Sequence, residues 1–174
     1  MDETILGKIR DLIWQKSGIY FGNQKSYSLE GKLTLRLKDL NLSSLEEYYY
    51  FLCYDGRRDR EFNELISTLT VNETSFFRNP PQINAFQNKI LPEVIEKRKK
   101  ENDLRLRIWS AGCSTGEEPY SLAIMIKEIL QQDLLSWFVD ILASDIDTTV
   151  INFAEKGNYR AYSLRNTPLK YKEK

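Results

Sequence analysis

The sequence predicts two successive architectures, a helical bundle and then the opening of an α/β sheet. Apolar residues recur at helical spacing through residues 1–70. A β-rich run, RLRIWSA at 105–111, breaks that period and enters a turn bounded by Gly112 and Gly116. A second run, WFVDILAS at 137–144, ends in Asp145-Ile146-Asp147. Strand, glycine turn, helix, strand and terminal acid is the order of a mononucleotide-binding βαβ unit. The expected division is an all-helical domain at 1–70, a linker and helix at 71–103, and a partial α/β domain at 104–174.

In the helical half, Ile5, Ile9, Leu12 and Ile13 share one face, and Gly18 follows the last turn. Leu29, Leu33, Leu37 and Leu40 form a second stripe. Lys32, Arg36 and Lys38 fall on other faces of that helix, where they are either a solvated surface or a docking surface for an acidic partner. The third helix is expected to open on a capping box, Ser43 with Glu46, and to bury Leu45, Tyr49 and Leu52. YDGRRDRE, residues 54–61, reads as a charged turn, and Phe62, Leu65, Ile66 and Leu69 mark the fourth helix.

Composition narrows the function. The chain has 174 residues, with Lys plus Arg and Asp plus Glu each at 25. That balance argues against a dedicated nucleic-acid or polybasic membrane protein. Hydrophobic residues at 41 % are too many for a disordered chain. No apolar run approaches the ~18 residues of a membrane span, and no secretory leader is evident, so the chain is expected to be cytoplasmic without membrane insertion. Histidine is absent, which excludes a Ser-His-Asp triad, a Cys-His dyad and any His-ligated zinc. The two cysteines, Cys53 and Cys113, have no metal-ligand spacing.

Downstream, Asn79 before Pro80-Pro81 is a helix start, with Ile83, Phe86, Ile90 and Val94 expected along one face. After the first strand, residues 117–132 read as a largely buried helix, and a third helix runs from Thr148 to Gly157. An acid at the tip of the second strand can accept both ribose hydroxyls of a nucleoside. A dinucleotide site wants G-x-G-x-x-G beside a pyrophosphate. Here Gly112 and Gly116 stand four apart, with Glu117 and Glu118 directly after. Carboxylates repel a pyrophosphate and attract the ammonium of a methionyl group. The turn therefore favours S-adenosylmethionine over NAD.

Two stretches, LTVNETSFFRNP at 69–80 and WSAGCSTGEEPYSLA at 109–123, with SDID at 144–147, resemble one family, the bacterial chemotaxis receptor methyltransferases (the CheR family). KLTLRLKDLNL at 32–42 resembles the family's basic second helix. The resemblance implies a helical bundle followed by the first part of a Rossmann-like (class I) methyltransferase sheet. It implies methyl transfer from S-adenosylmethionine to glutamate side chains on the cytoplasmic helices of chemoreceptors, leaving S-adenosylhomocysteine. Asn72 and Thr74 resemble the linker residues that contact the cofactor, and Arg78 the arginine beside the transferred methyl. Gly112 belongs to the cofactor loop. Glu118 resembles the acid on the methionyl ammonium, with Glu117 the alternative, and Asp145 the acid on the ribose. Lys32, Arg36 and Lys38 resemble the surface that engages the receptor. Phe76 and Phe77 are expected as wedges between domains.

Family members continue for roughly another hundred residues, so the chain resembles a truncated member. Two parallel strands leave an open edge, and a dimer through that edge is one expectation. A non-catalytic docking module with a vestigial cofactor site is the alternative function.

Overall fold

The structure, a computed structural model, describes residues 4–22 and 26–172. It divides into two units, Met1–Val71 and Asn72–Lys174.

The first unit packs four helices, α1 (Ile5–Ser17), α2 (Ser26–Leu40), α3 (Leu45–Tyr54) and α4 (Arg58–Leu69). Its core holds Ile9 and Ile13, Leu29 and Leu33, Tyr48 and Leu52, and Phe62, Leu65, Ile66 and Leu69, so the predicted stripes meet as their spacing requires. Two details differ from expectation. The α3 cap is Ser44, whose hydroxyl accepts the Glu47 amide at 3.2 Å. The Glu47 carboxylate reaches back to the Ser43 amide (2.8 Å) and hydroxyl (2.9 Å), which hold it below the usual carboxylate range. The cap is therefore Ser44, because the residue in extended backbone before the first helical residue is 44, and Glu47 reaches one residue past it to Ser43. The charged turn is also shorter than predicted, since α4 begins at Arg58 and its first turn includes Glu61.

Glu61 is the larger surprise. It is 4 % exposed and lies inside the bundle. Arg36 grips it with two bonds, Nε to Oε1 at 2.9 Å and Nη2 to Oε2 at 2.7 Å, and the Tyr48 hydroxyl donates to Oε1 at 2.7 Å. Tyr48, not Tyr49, is thus the tyrosine taken fully into the core; spacing alone does not see the acceptor that makes its hydroxyl buriable. The bonds to Glu61 raise the Arg36 guanidinium above its ordinary value, and burial followed by the Glu61 contact raises the Tyr48 phenol. Lys32 donates to the Leu69 carbonyl at 3.0 Å, closing the C-terminus of α4. Two of the three residues expected to form a docking surface are therefore tied into the unit itself, and Lys38 is the exposed one of the three.

In the second unit, α5 (Pro80–Ala85) passes through a π-helical turn at Phe86–Ile90 into α6 (Leu91–Lys100). Pro92 supplies the reason. It has no N–H to donate, and its ring would meet the carbonyl four residues back in a regular helix; a wider turn relieves both. The extra residue rotates the helix face. Ile90, expected inward, is 49 % exposed, while Leu91 and Ile95 are buried.

Strand β1 (Arg105–Ala111) pairs in parallel with β2 (Phe138–Ser144), Leu106 opposite Val139 and Ile108 opposite Ile141. Between them run α7 (Glu117–Leu130) and a 3₁₀ segment, Gln131–Ser136. Helices α8 (Thr148–Lys156) and α9 (Leu169–Lys172) follow β2. Leu106 packs with Leu91 and Ile95 of α6 and with Ile126 and Leu130 of α7. On the opposite sheet face Trp109, Phe138 and Leu142 are exposed. Phe76 and Phe77, expected between domains, lie in a cluster of the second unit with Leu122 and Met125. Phe76 meets Tyr159 edge-on at 4.8 Å, and Phe77 stacks on Tyr171 at 4.9 Å. Phe77 holds φ +53, a left-handed backbone costly for a bulky residue, fixed by its amide donating to the Ser121 hydroxyl at 3.0 Å.

The Arg36–Glu61 pair predicts that Glu61→Ala, which strands a buried guanidinium, costs about 3–5 kcal/mol in urea unfolding, whereas Lys38→Ala changes stability by less than about 0.5 kcal/mol. The raised Tyr48 phenol adds a pH dependence. Above pH ~10 the unfolded tyrosine releases a proton that folded Tyr48 retains, so the contribution of Tyr48 to stability is constant below that pH and is lost as pH rises above it. Urea titrations at pH 8 and 11 should show a smaller fall in Tyr48→Phe.

Candidate functional site

Ligands of open parallel sheets bind beyond the carboxyl ends of the strands, and it is there that Asn72, Gly112, Glu118 and Asp145 are tied together. Past the end of β1, the Gly112 and Cys113 amides both donate to the Ser144 carbonyl, at 2.8 and 3.0 Å, and hold the turn against the end of β2. Ser114 follows with φ +50 and Gly116 with φ +95. Gly116 is obligatory on two grounds. A side chain is strained at that φ. A Cβ there would also stand 2.7 Å from the Tyr159 hydroxyl and 2.8 Å from the Ala154 Cβ. Tyr159 donates to the Thr115 carbonyl at 2.7 Å, and burial pushes its phenol well above the usual value.

The two glutamates after the turn diverge. Glu117 is buried and accepts from the Thr115 hydroxyl at 2.6 Å. Glu118 is exposed, and the Ser110 hydroxyl near the end of β1 donates to it at 2.7 Å. Asp145, just past β2, accepts the Ser114 amide on one oxygen (2.8 Å) and the Asp147 amide on the other (2.9 Å). Asp147 is buried and caps α8, accepting from the Thr149 amide at 2.9 Å. Its other oxygen accepts from the Asn72 side-chain amide at 2.7 Å. The Ser114 hydroxyl donates to the Asn72 carbonyl at 3.0 Å. Thr74 is half-buried two residues on. Arg78 is exposed, with one guanidinium N–H on the Glu73 carbonyl, and Glu73 also pairs with Arg165 at 3.3 Å. Burial, reinforced by Asp145, raises the Cys113 thiol, so it stays protonated at neutral pH.

Asn72, Gly112, Glu118 and Asp145 thus fall on the linker, the turn, the first turn of α7 and the end of β2, all in one unit. Lys32, Arg36 and Lys38 belong to the other. Sequence reasoning did not assign Ser110, Ser114 or Tyr159. The first two were visible only as small polar residues of the motif. Tyr159 reaches Thr115 across 44 residues of chain, and no local pattern announces that bond.

The fit to S-adenosylmethionine rests on donor and acceptor chemistry. That cofactor offers an ammonium and two ribose hydroxyls as donors and carries no phosphate. Ionised Glu118 and Asp145 are acceptor-only groups, and the two amides on Asp145 use about half of its roughly four lone-pair positions. Such a site suits a cationic nucleoside and disfavours a pyrophosphate. It defines an S-adenosylmethionine-binding α/β unit.

The comparisons give the same class. Residues 72–174 match the family model "CheR methyltransferase, SAM binding domain", and residues 6–70 match "CheR methyltransferase, all-alpha domain". The chain belongs to the CheR methyltransferase family, whose cofactor is S-adenosylmethionine. The chemotaxis protein methyltransferase of Borreliella burgdorferi is 35% identical over 163 residues, 94% of this chain and 57% of that protein. Chemotaxis protein methyltransferase 2 of Vibrio cholerae is 35% identical over 166 residues, 95% of this chain and 56% of that protein. The Escherichia coli chemotaxis protein methyltransferase is 35% identical over 159 residues, 91% and 51% respectively. The chain spans about half the length of these curated relatives.

Gly116→Ala is expected to lower the thermal midpoint and abolish S-adenosylhomocysteine binding measured by calorimetry. Gly112→Ala adds a Cβ to open space at φ +76 and should cost only about 1–2 kcal/mol in the same unfolding experiment.

Proposed function

We propose that the chain acts in methyl transfer from S-adenosylmethionine to glutamate side chains on the cytoplasmic helices of chemoreceptors, producing glutamyl methyl esters in the cytoplasm. The observation that carries this reading is the pair of carboxylates, Glu118 in the first turn of α7 and held by Ser110 of β1, and Asp145 just past β2, on either side of a glycine turn. The relatives' names, chemotaxis protein methyltransferases, support a chemotaxis protein as the substrate class.

When bound, the cofactor supplies an activated methyl on a sulfonium. The substrate carboxylate is already ionised near neutral pH, so no residue of this chain has to remove a proton from it. Asp145 holds the ribose, and Glu118, set by the Ser110 hydroxyl, takes the methionyl ammonium. Asn72 and Thr74 line the linker side of the cofactor. Arg78, anchored through one N–H to the Glu73 carbonyl, directs its remaining donors to the incoming carboxylate. Its role is orientation, which alone can remove several kcal/mol from such a barrier. The residues of this chain would therefore supply binding and orientation only, with no proton to hold or move. For receptor contact, Arg36 is committed to Glu61 and Asp39 and the Lys32 ammonium to the Leu69 carbonyl, which leaves Lys38 to meet an acidic helix.

Calorimetric titration with S-adenosylhomocysteine tests the site. Asp145→Ala should weaken binding at least tenfold, or about 1.4 kcal/mol. Labelled methyl transfer to a purified chemoreceptor signalling domain tests the activity, and Arg78→Ala should lower transfer more than it lowers cofactor affinity. Saturable binding without transfer would favour the docking-module reading. A folded chain with no binding would sink the cofactor site itself.

A further inference from the structure

Four hydrogen bonds around the carboxyl ends of the strands close into a ring. Asn72 Nδ2 donates to Asp147 Oδ2, the Asp147 amide to Asp145 Oδ1, the Ser114 amide to Asp145 Oδ2, and Ser114 Oγ to the Asn72 carbonyl. The ring joins the linker, the glycine turn and the segment after β2. Asp147 is the member that makes it more than a loop contact. It is 1 % exposed, its Oδ1 caps α8, and its Oδ2 takes the amide of a residue 75 positions earlier in the chain.

We propose that Asp147 is a positioning residue of the cofactor site: it fixes the Asn72 side chain, and through its own amide it orients the Asp145 carboxylate that faces the ribose. This inference rests on the methyltransferase reading for its consequence, and on the ring alone for its geometry. An ordinary helix cap needs only a short acceptor, which serine also supplies. The Asn72 bond needs a carboxylate, or an amide of opposite sense. Cap and clamp can therefore be separated by mutation.

The test uses the full chain and two readouts, backbone amide exchange at Ser114 and Asp147 by NMR, and S-adenosylhomocysteine affinity by calorimetry. Asn72→Asp sets two carboxylates against each other and should speed exchange at both amides, and weaken binding, by at least tenfold. Adding Asp147→Asn reverses donor and acceptor and should restore both readouts to within threefold of wild type. Asp147→Ser keeps a cap on α8 and removes the clamp; it should behave like Asn72→Asp with an unchanged far-ultraviolet circular dichroism spectrum. Wild-type exchange and affinity in Asn72→Asp, or a double variant no better than the single one, would overturn the proposal. A folded wild-type chain with no affinity for S-adenosylhomocysteine would refute the methyltransferase reading, and the exchange arm would then decide the clamp alone.

Discussion

The second unit depends on one carboxylate being held at both oxygens. Asp145 accepts the amide of Ser114 from the glycine turn and the amide of Asp147 from its own segment. These bonds fix the turn to the end of β2, and with it the start of α7 from which Glu118 projects. The turn consists of small residues between two glycines, of which Cys113 and Ser114 are buried. Its shape is set by hydrogen bonds to groups outside it: Asp145, the Ser144 carbonyl and the Tyr159 hydroxyl. Under the proposed function, the carboxylate that shapes the loop is also the one that would accept the ribose hydroxyls, which couples preorganisation to recognition. Removing it would cost the loop as well as the contact.

Much of the fold was legible because periodicity reports burial. The stripes of α1, α2 and α4 met in one core, and RLRIWSA became a seven-residue strand. The glycine turn and the acid after the second strand were likewise visible as local motifs. What escaped were pairings between distant positions. Glu61 stands in a run of charges and reads as solvated turn, yet Arg36 and Tyr48, 25 and 13 residues away, make its burial affordable. Tyr48 and Tyr49 look alike in sequence, and only the acceptor across the bundle distinguishes them. Asp147 stands directly before α8 and caps it, but its second oxygen answers to Asn72, which no window around either residue contains.

The same contrast runs through the basic residues of α2. A lysine and an arginine one turn apart look like a surface offered to a partner. In the structure Lys32 closes the end of α4 and Arg36 neutralises a buried carboxylate. Removing only one partner of such a pair leaves the other charge uncompensated in the core, a far larger penalty than losing an exposed contact. Charge reversal at Arg36 therefore conflates folding with binding, while Lys38 reports on the surface alone.

The π-helical turn at Phe86–Ile90 has a consequence for how one continuous helix serves two neighbours. Ile83, before the turn, faces the cluster around Phe76 and Phe77, Phe86 at its start touches both clusters, and Leu91 and Ile95, after it, face Leu106 and Ile126. A regular helix carries its apolar stripe along a single gently drifting line. The inserted residue works as a vernier, advancing the phase of the stripe by about a quarter turn without interrupting the rod. Length along this segment is thus not neutral filler: one residue fewer would keep the helix and misdirect everything downstream of it.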